Sequence, residues 1–186
     1  NTQYGPGASA TGGDSVAVGD SAKATAGHAT AIGTLTEADG TNSFVAGLQA
    51  KSGATAENSV AIGRGAQALG QKRVSEQFTA STIAIGNNAT ATENGDIVIG
   101  RQAKSTVSQY HNHPQGGNGA VVMGAEAASY GSRGDVVLGA GAEACLLRKD
   151  VTNPADKPEY SQGVAIGSRA KVYGPQSTSI GADSRS

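Results

Sequence analysis

The chain has 186 residues and a formal net charge of −1, and no basic block marks it for nucleic acid. Alanine and glycine, with 32 and 28 copies, make up about a third of it, whereas Ile, Val, Leu and Phe together number only 30. So few bulky side chains cannot fill a thick globular core, and so small a net charge does not fit a disordered chain; an ordered repeat with a thin core remains.

From the N-terminus onward one string recurs: small-polar, apolar, small-apolar, apolar, Gly, x, x, Ala, x, small. It reads SVAVGDSAKA at 15–24, SVAIGRGAQA at 59–68, DIVIGRQAKS at 96–105, DVVLGAGAEA at 135–144 and GVAIGSRAKV at 163–172. Its glycine falls at 5, 19, 33, 47, 63, 86, 100, 124, 139, 167 and 181, so the base step is 14 and the longer steps are insertions. With that glycine as position 0, positions −3 and −1 are mostly Val or Ile. Position −2 is Ala or Val in nine of the eleven registers, and the alternation of β-branched residues predicts a short strand. Because position −2 is also apolar, the strand is covered on both faces. We assign the bulky pair to the coil's own interior and the Ala- and Val-lined face to a partner surface, which puts Ala61 at a subunit contact. Alanine at +3 and a small residue at +5 predict a second short strand, and glycines such as Gly12, Gly40, Gly70, Gly131 and Gly174 mark the other corner. The expected fold is an all-β parallel β-roll, a solenoid of about eleven 14-residue coils in one domain over 1–186. At about 4.8 Å per coil it forms a rod on the order of 50 Å long. A rod this thin is expected to be an obligate oligomer of identical chains.

Three insertions interrupt the rod, at approximately 69–82, 105–119 and 146–163. The first (LGQKRVSEQFTAST) carries Lys72, Arg73 and Phe78; it reads equally as a contact surface and as a flap over the roll or a neighbouring subunit. The second carries Tyr110, His111 and His113. Two histidines at i, i+2 could share a metal, but no Cys or further His lies nearby, so no metal or cofactor is assigned. Arg133-Gly134-Asp135 spells the tripeptide carried by many integrin ligands. Yet Gly-Asp also precedes the strand at Gly13-Asp14 and Gly95-Asp96, so it reads first as a turn solution. Cys145, the single cysteine, excludes an internal disulfide framework and is expected to be a small buried hydrophobe. The third insertion is charged and proline-containing, with Leu146 and Leu147 as its apolar foot.

Catalysis finds no support. Ser, His and Asp are not spaced as nucleophile and base, and GRGAQALG at 63–70 lacks the Lys-Ser/Thr ending of a phosphate loop. Hexapeptide-repeat acyltransferases share Ile-Gly pairs but repeat every six residues, of which 14 is no multiple.

The string Asn58-Ser59-Val60-Ala61-Ile62-Gly63 resembles the repeat of the YadA-like head domain of trimeric autotransporter adhesins, and the looser pattern covers essentially the whole chain. The resemblance implies a left-handed β-roll, a homotrimer, and display at the outer end of a stalk on a Gram-negative cell surface. It also implies attachment to host matrix proteins such as collagen, fibronectin and laminin, or to host-cell receptors. Because collagen binding is associated with the repeat motif in some heads, Asn58 through Gly63 become ligand candidates, with Ser15 and Ser59 expected partly exposed. Signal peptide, neck, stalk and membrane anchor are expected outside this chain, so it meets a membrane only through an anchor it lacks. The alternative is the trimeric receptor-binding tip of a phage or other surface fibre.

Overall fold

Three-residue strands precede the repeat glycines in a computed structural model that describes residues 1–71, 81–106, 119–130, 134–144, 162–174 and 176–186. They are Thr2–Tyr4, Val16–Val18, Thr30–Ile32, Phe44–Ala46, Val60–Ile62, Ile83–Ile85, Ile97–Ile99, Val121–Met123, Val136–Leu138, Val164–Ile166 and Thr178–Ile180. They stack in that order into one eleven-stranded parallel sheet. Register is kept from coil to coil: Val60, Ala61 and Ile62 pair with Ile83, Ala84 and Ile85, which pair with Ile97, Val98 and Ile99. A second set of strands, from Ser9–Ala10 to Glu143–Ala144 and mostly of two residues, builds a nine-stranded parallel sheet. The result is an all-β parallel solenoid of about nine two-stranded turns, extended by single bridges from Glu143 to Lys171 and from Lys171 to Arg185. There is no helix among the described residues.

Backbone hydrogen bonds between coils run along the stack and continue through the corners. Val60 N donates to Thr82 O at 2.9 Å, Gly63 N to Ala46 O at 2.8 Å, and Asn88 N to Arg64 O at 2.8 Å.

The interior inverts the expected orientation. Position −2 points inward, and in every coil between the two terminal ones it is fully buried: Ala17, Ala31, Val45, Ala61, Ala84, Val98, Val122, Val137 and Ala165 all have zero exposure. Facing them are the +3 and +5 side chains, such as Ala66 and Ala68, also with zero exposure. The bulky −3 and −1 residues stand outside. Ala61 is therefore core, not subunit contact, because so narrow a coil leaves room only for small side chains such as alanine and valine, at about 0.8 kcal/mol for each buried methyl or methylene. Sequence parity carried this information. Positions −4, −2 and 0 lie on one face of a strand, and Ser59, Ala61 and Gly63 share it.

Gly63 shows why the anchor is glycine. Its φ is +126°, and a Cβ there would lie 2.6 Å from the carbonyl oxygen of Gly86, the anchor of the next coil. Where position +3 is not alanine, the hydroxyl turns back on the corner: Thr36 Oγ1 donates to Gly33 O at 2.9 Å and Ser184 Oγ to Gly181 O at 2.8 Å.

The two corners differ in freedom. From the end of the first strand to the start of the second, every two-stranded coil uses the same four residues, as in Gly63 to Ala66. All variation in length falls at the opposite corner, which leads from the second strand to the next coil. The insertion expected from 69 starts later, since Gln67–Gln71 is one five-residue strand, and Thr82 is buried core rather than loop.

Candidate functional site

The solenoid presents two outer faces of opposite character. Over the eleven-stranded sheet, positions −3 and −1 form two columns that are apolar except for Thr2, Thr30 and Thr178 and the phenol of Tyr4. None of these side chains is buried; Ile62 is 38% exposed and Met123 41%. So long an apolar face left uncovered by its own chain marks a contact surface. Over the nine-stranded sheet, positions +4 and +6 are mostly polar or charged. Lys23 Nζ lies 3.5 Å from Glu37 Oε1, Lys171 Nζ lies 2.8 Å from Glu143 Oε2, and Thr25 Oγ1 donates to Asp39 Oδ1 at 2.6 Å. Lys104 Nζ stands 5.2 Å from the centroid of the Tyr130 ring. This face is at home in water.

The candidate string at 58–63 is divided among these surfaces. Asn58 is exposed at the variable corner with φ +51°, a left-handed conformation that asparagine tolerates, and its Oδ1 accepts from Asn42 Nδ2 at 3.0 Å. Val60 and Ile62 stand in the apolar columns, Ala61 is core, and Gly63 forms the constant corner. Ser15 and Ser59 are not partly exposed as expected; both are buried. Ser15 Oγ donates to Gly12 O at 2.8 Å and Ser59 Oγ to Glu57 O at 3.2 Å, so each hydroxyl ties the corner from within.

Asp135 is likewise interior, at 1% exposure. Its carboxylate accepts from Ser129 Oγ at 2.6 Å and from Gly163 N at 2.9 Å. This carboxylate is engaged inside the coil and is not offered to a ligand. The three Gly-Asp pairs are not one turn solution. Asp14 is exposed at position −5 with φ +53°, whereas Asp96 and Asp135 occupy the buried position −4.

Those two aspartates are the residues that sequence reasoning missed. In several coils the −4 amide bonds to a local corner carbonyl, as Ser43 N does to Gly40 O at 3.2 Å. At the two longest insertions an aspartate one coil earlier supplies the acceptor instead. Ala120 N donates to Asp96 Oδ1 at 2.8 Å, and Gly163 N to Asp135 Oδ1 at 2.9 Å. The other oxygen of Asp96 accepts from Glu93 N at 2.8 Å and from the Ser105 hydroxyl, so one carboxylate touches residues on both sides of the second insertion. Burial pushes the Asp96 carboxyl above its ordinary range, against the opposing pull of those hydrogen bonds. The sequence signal was available: Asp replaces Ser or Thr at −4 in the coils directly before the two longest insertions.

Lys72, Arg73, Phe78, Tyr110, His111, His113, Arg133 and Cys145 lie outside the described residues. Among the described residues no group of three or more His, Cys, Asp or Glu side chains is placed to hold a metal ion, and no helix is long and apolar enough to cross a membrane.

Comparison with known families supplies one match. The sequence model described as "YadA head domain repeat (2 copies)" matches residues 5–22, 10–36, 24–50, 54–72, 80–103 and 161–184, more than half of the chain. A search of the curated proteins found no match.

Proposed function

Because this chain belongs to the YadA head domain repeat family, a non-enzymatic class of bacterial surface adhesins, we propose that it is a homotrimeric head that attaches its cell to host matrix proteins or host-cell receptors. Collagen, fibronectin and laminin are the matrix proteins in view, and the head is carried outward from the outer membrane by a stalk and anchor. The observation that carries the reading is the contrast between the two outer faces. An apolar face eleven strands long calls for a covering surface, while the polar face and the variable corner remain for the outside. Identical copies turned about an axis parallel to the stack bury that face along its whole length. The number three comes from the family.

Ligand contact is assigned to the variable corner. Asn58 is an exposed member of it, and the inserted segments with Lys72, Arg73, Phe78, Tyr110 and His111 depart from it, as does the one with Arg133. Repetition of one surface on three chains supplies avidity. Light scattering should return about three times the 18.3 kDa chain mass, and the trimer should bind at least one protein in a panel of matrix proteins and receptors. Replacing residues 72–80 by a short turn should leave the trimer intact and weaken that binding. A stable monomer would refute the assembly, and unaltered binding would remove this segment from the ligand surface.

A further inference from the structure

The apolar face is nearly the same at every level. Val or Ile recurs at positions −3 and −1 of successive strands, so two copies packed along it could slip by one coil, about 4.8 Å, and meet almost the same side chains. Beyond the threonines and Tyr4 already named, one strand pairs an oversized side chain with an undersized one. Phe44 is the largest side chain at position −3 and Ala46 the smallest at position −1, and they belong to the same strand. Their neighbours differ in the opposite sense: Thr30 and Val60 flank Phe44, and Ile32 and Ile62 flank Ala46. The ring therefore stands out from one column while the other column has a notch at the same level. Its own chain leaves Phe44 39% exposed.

We infer that Phe44 and Ala46 form a register lock between copies of this chain, the ring of one protomer filling the notch over Ala46 of the next. The inference rests on the proposed assembly about an axis parallel to the stack. Any such rotation sets the −3 column of one copy beside the −1 column of its neighbour without changing height, so Phe44 meets Ala46 only at zero slip. At one coil of slip the ring meets Ile32 or Ile62 and overpacks, and the notch is left empty. An antiparallel pairing would set each column against its own copy, so the ring would not meet the notch. The face has the extent such a partner needs, since eleven strands with two outward side chains apiece approach the roughly 20–30 residues a side of a stable interface.

The test reads register away from the lock, in a Cys145→Ser background. One reporter chain carries Ile97→Cys and Ile99→Cys, which lie on one strand and should cross-link between copies at zero slip. The other carries Ile97→Cys and Ile85→Cys, one coil apart. Each is oxidised in two settings, with Phe44 and Ala46 retained and with the regularising pair Phe44→Val and Ala46→Ile. With the lock, covalent multimers on a denaturing gel should come from the same-level reporter alone. Regularising should raise the one-coil reporter's cross-linking about tenfold or more, the range expected from removing an overpacked contact. Equal cross-linking of the two reporters with the lock present would overturn the inference. So would a register that ignores the regularising pair, which is the result if the ring merely covers Ala46 of its own strand. Light scattering on the same samples separates the premises: a monomer defeats the assembly, whereas a trimer with indifferent register defeats only the lock.

Discussion

The methyl group of alanine sets the thickness of this protein. Position −2 is Ala or Val in every coil between the two terminal ones, +3 is Ala in nine of eleven repeats, and the space between the sheets at these positions takes only small side chains. Into this space the chain nonetheless places the carboxylates of Asp96 and Asp135, each engaged by donors from adjacent coils. Truncating Asp96 to alanine leaves the amides of Ala120 and Glu93 and the hydroxyl of Ser105 without that acceptor. The expected loss is at least about 2 kcal/mol in urea unfolding. Its dependence on pH follows from the raised carboxyl. The folded chain takes up the proton more readily than the unfolded one, so this group's contribution is largest in acid and falls as pH rises through the folded value. The gap between the native chain and Asp96→Ala should therefore be wider near about pH 4 than near about pH 7. A gap that narrows in acid would show that hydrogen bonding, rather than burial, governs Asp96.

Strands and corners were legible to different degrees. The period of 14 and the alternation around each glycine were enough to place the first strands, because β-branched pairs flanking a small residue recur in fixed phase with a residue that must bend the chain. Orientation was misread. Apolar character marks both faces of the strand alike; in so narrow a coil size decides, and Ile62 goes outside because only Ala61 fits within. Corner conformations were hidden in another way. Ser21, Leu35, Gln49, Asn88, Gln102, Glu126, Arg169 and Asp183 all take positive φ at position +2, and side chains so varied give no common signal. Stacked backbone hydrogen bonds impose that conformation, as between Gln102 N and Asn87 O at 2.8 Å. The two corners should respond oppositely to added length. One alanine inserted between Arg64 and Gly65 displaces a corner stacked on both sides and should prevent cooperative folding. The same insertion between Ala54 and Thr55, at the variable corner, should shift the melting temperature by only a few degrees. Circular dichroism melts of the two variants decide the matter; similar melts would mean that the constant corner is not constrained.

At the scale of the molecule, the fold and the proposed assembly draw on separate side chains of the same strand. Lysine at Ile62 would set a charge on the apolar face and should dissociate the oligomer into chains that keep their β spectrum. Lysine at Ala61 would bury a charge inside the coil and should abolish the spectrum as well. Light scattering combined with circular dichroism distinguishes the two outcomes, and an intact oligomer carrying Ile62→Lys would locate the contact elsewhere. The direction of the inter-coil hydrogen bonds has a mechanical consequence. Because they lie along the stack, tension applied at the two ends loads one rung at a time rather than many in shear. A single chain pulled lengthwise would peel open in steps of one coil at modest force. Side-by-side companions that share the load, level by level, are what would turn such a ladder into a tether able to hold against flow.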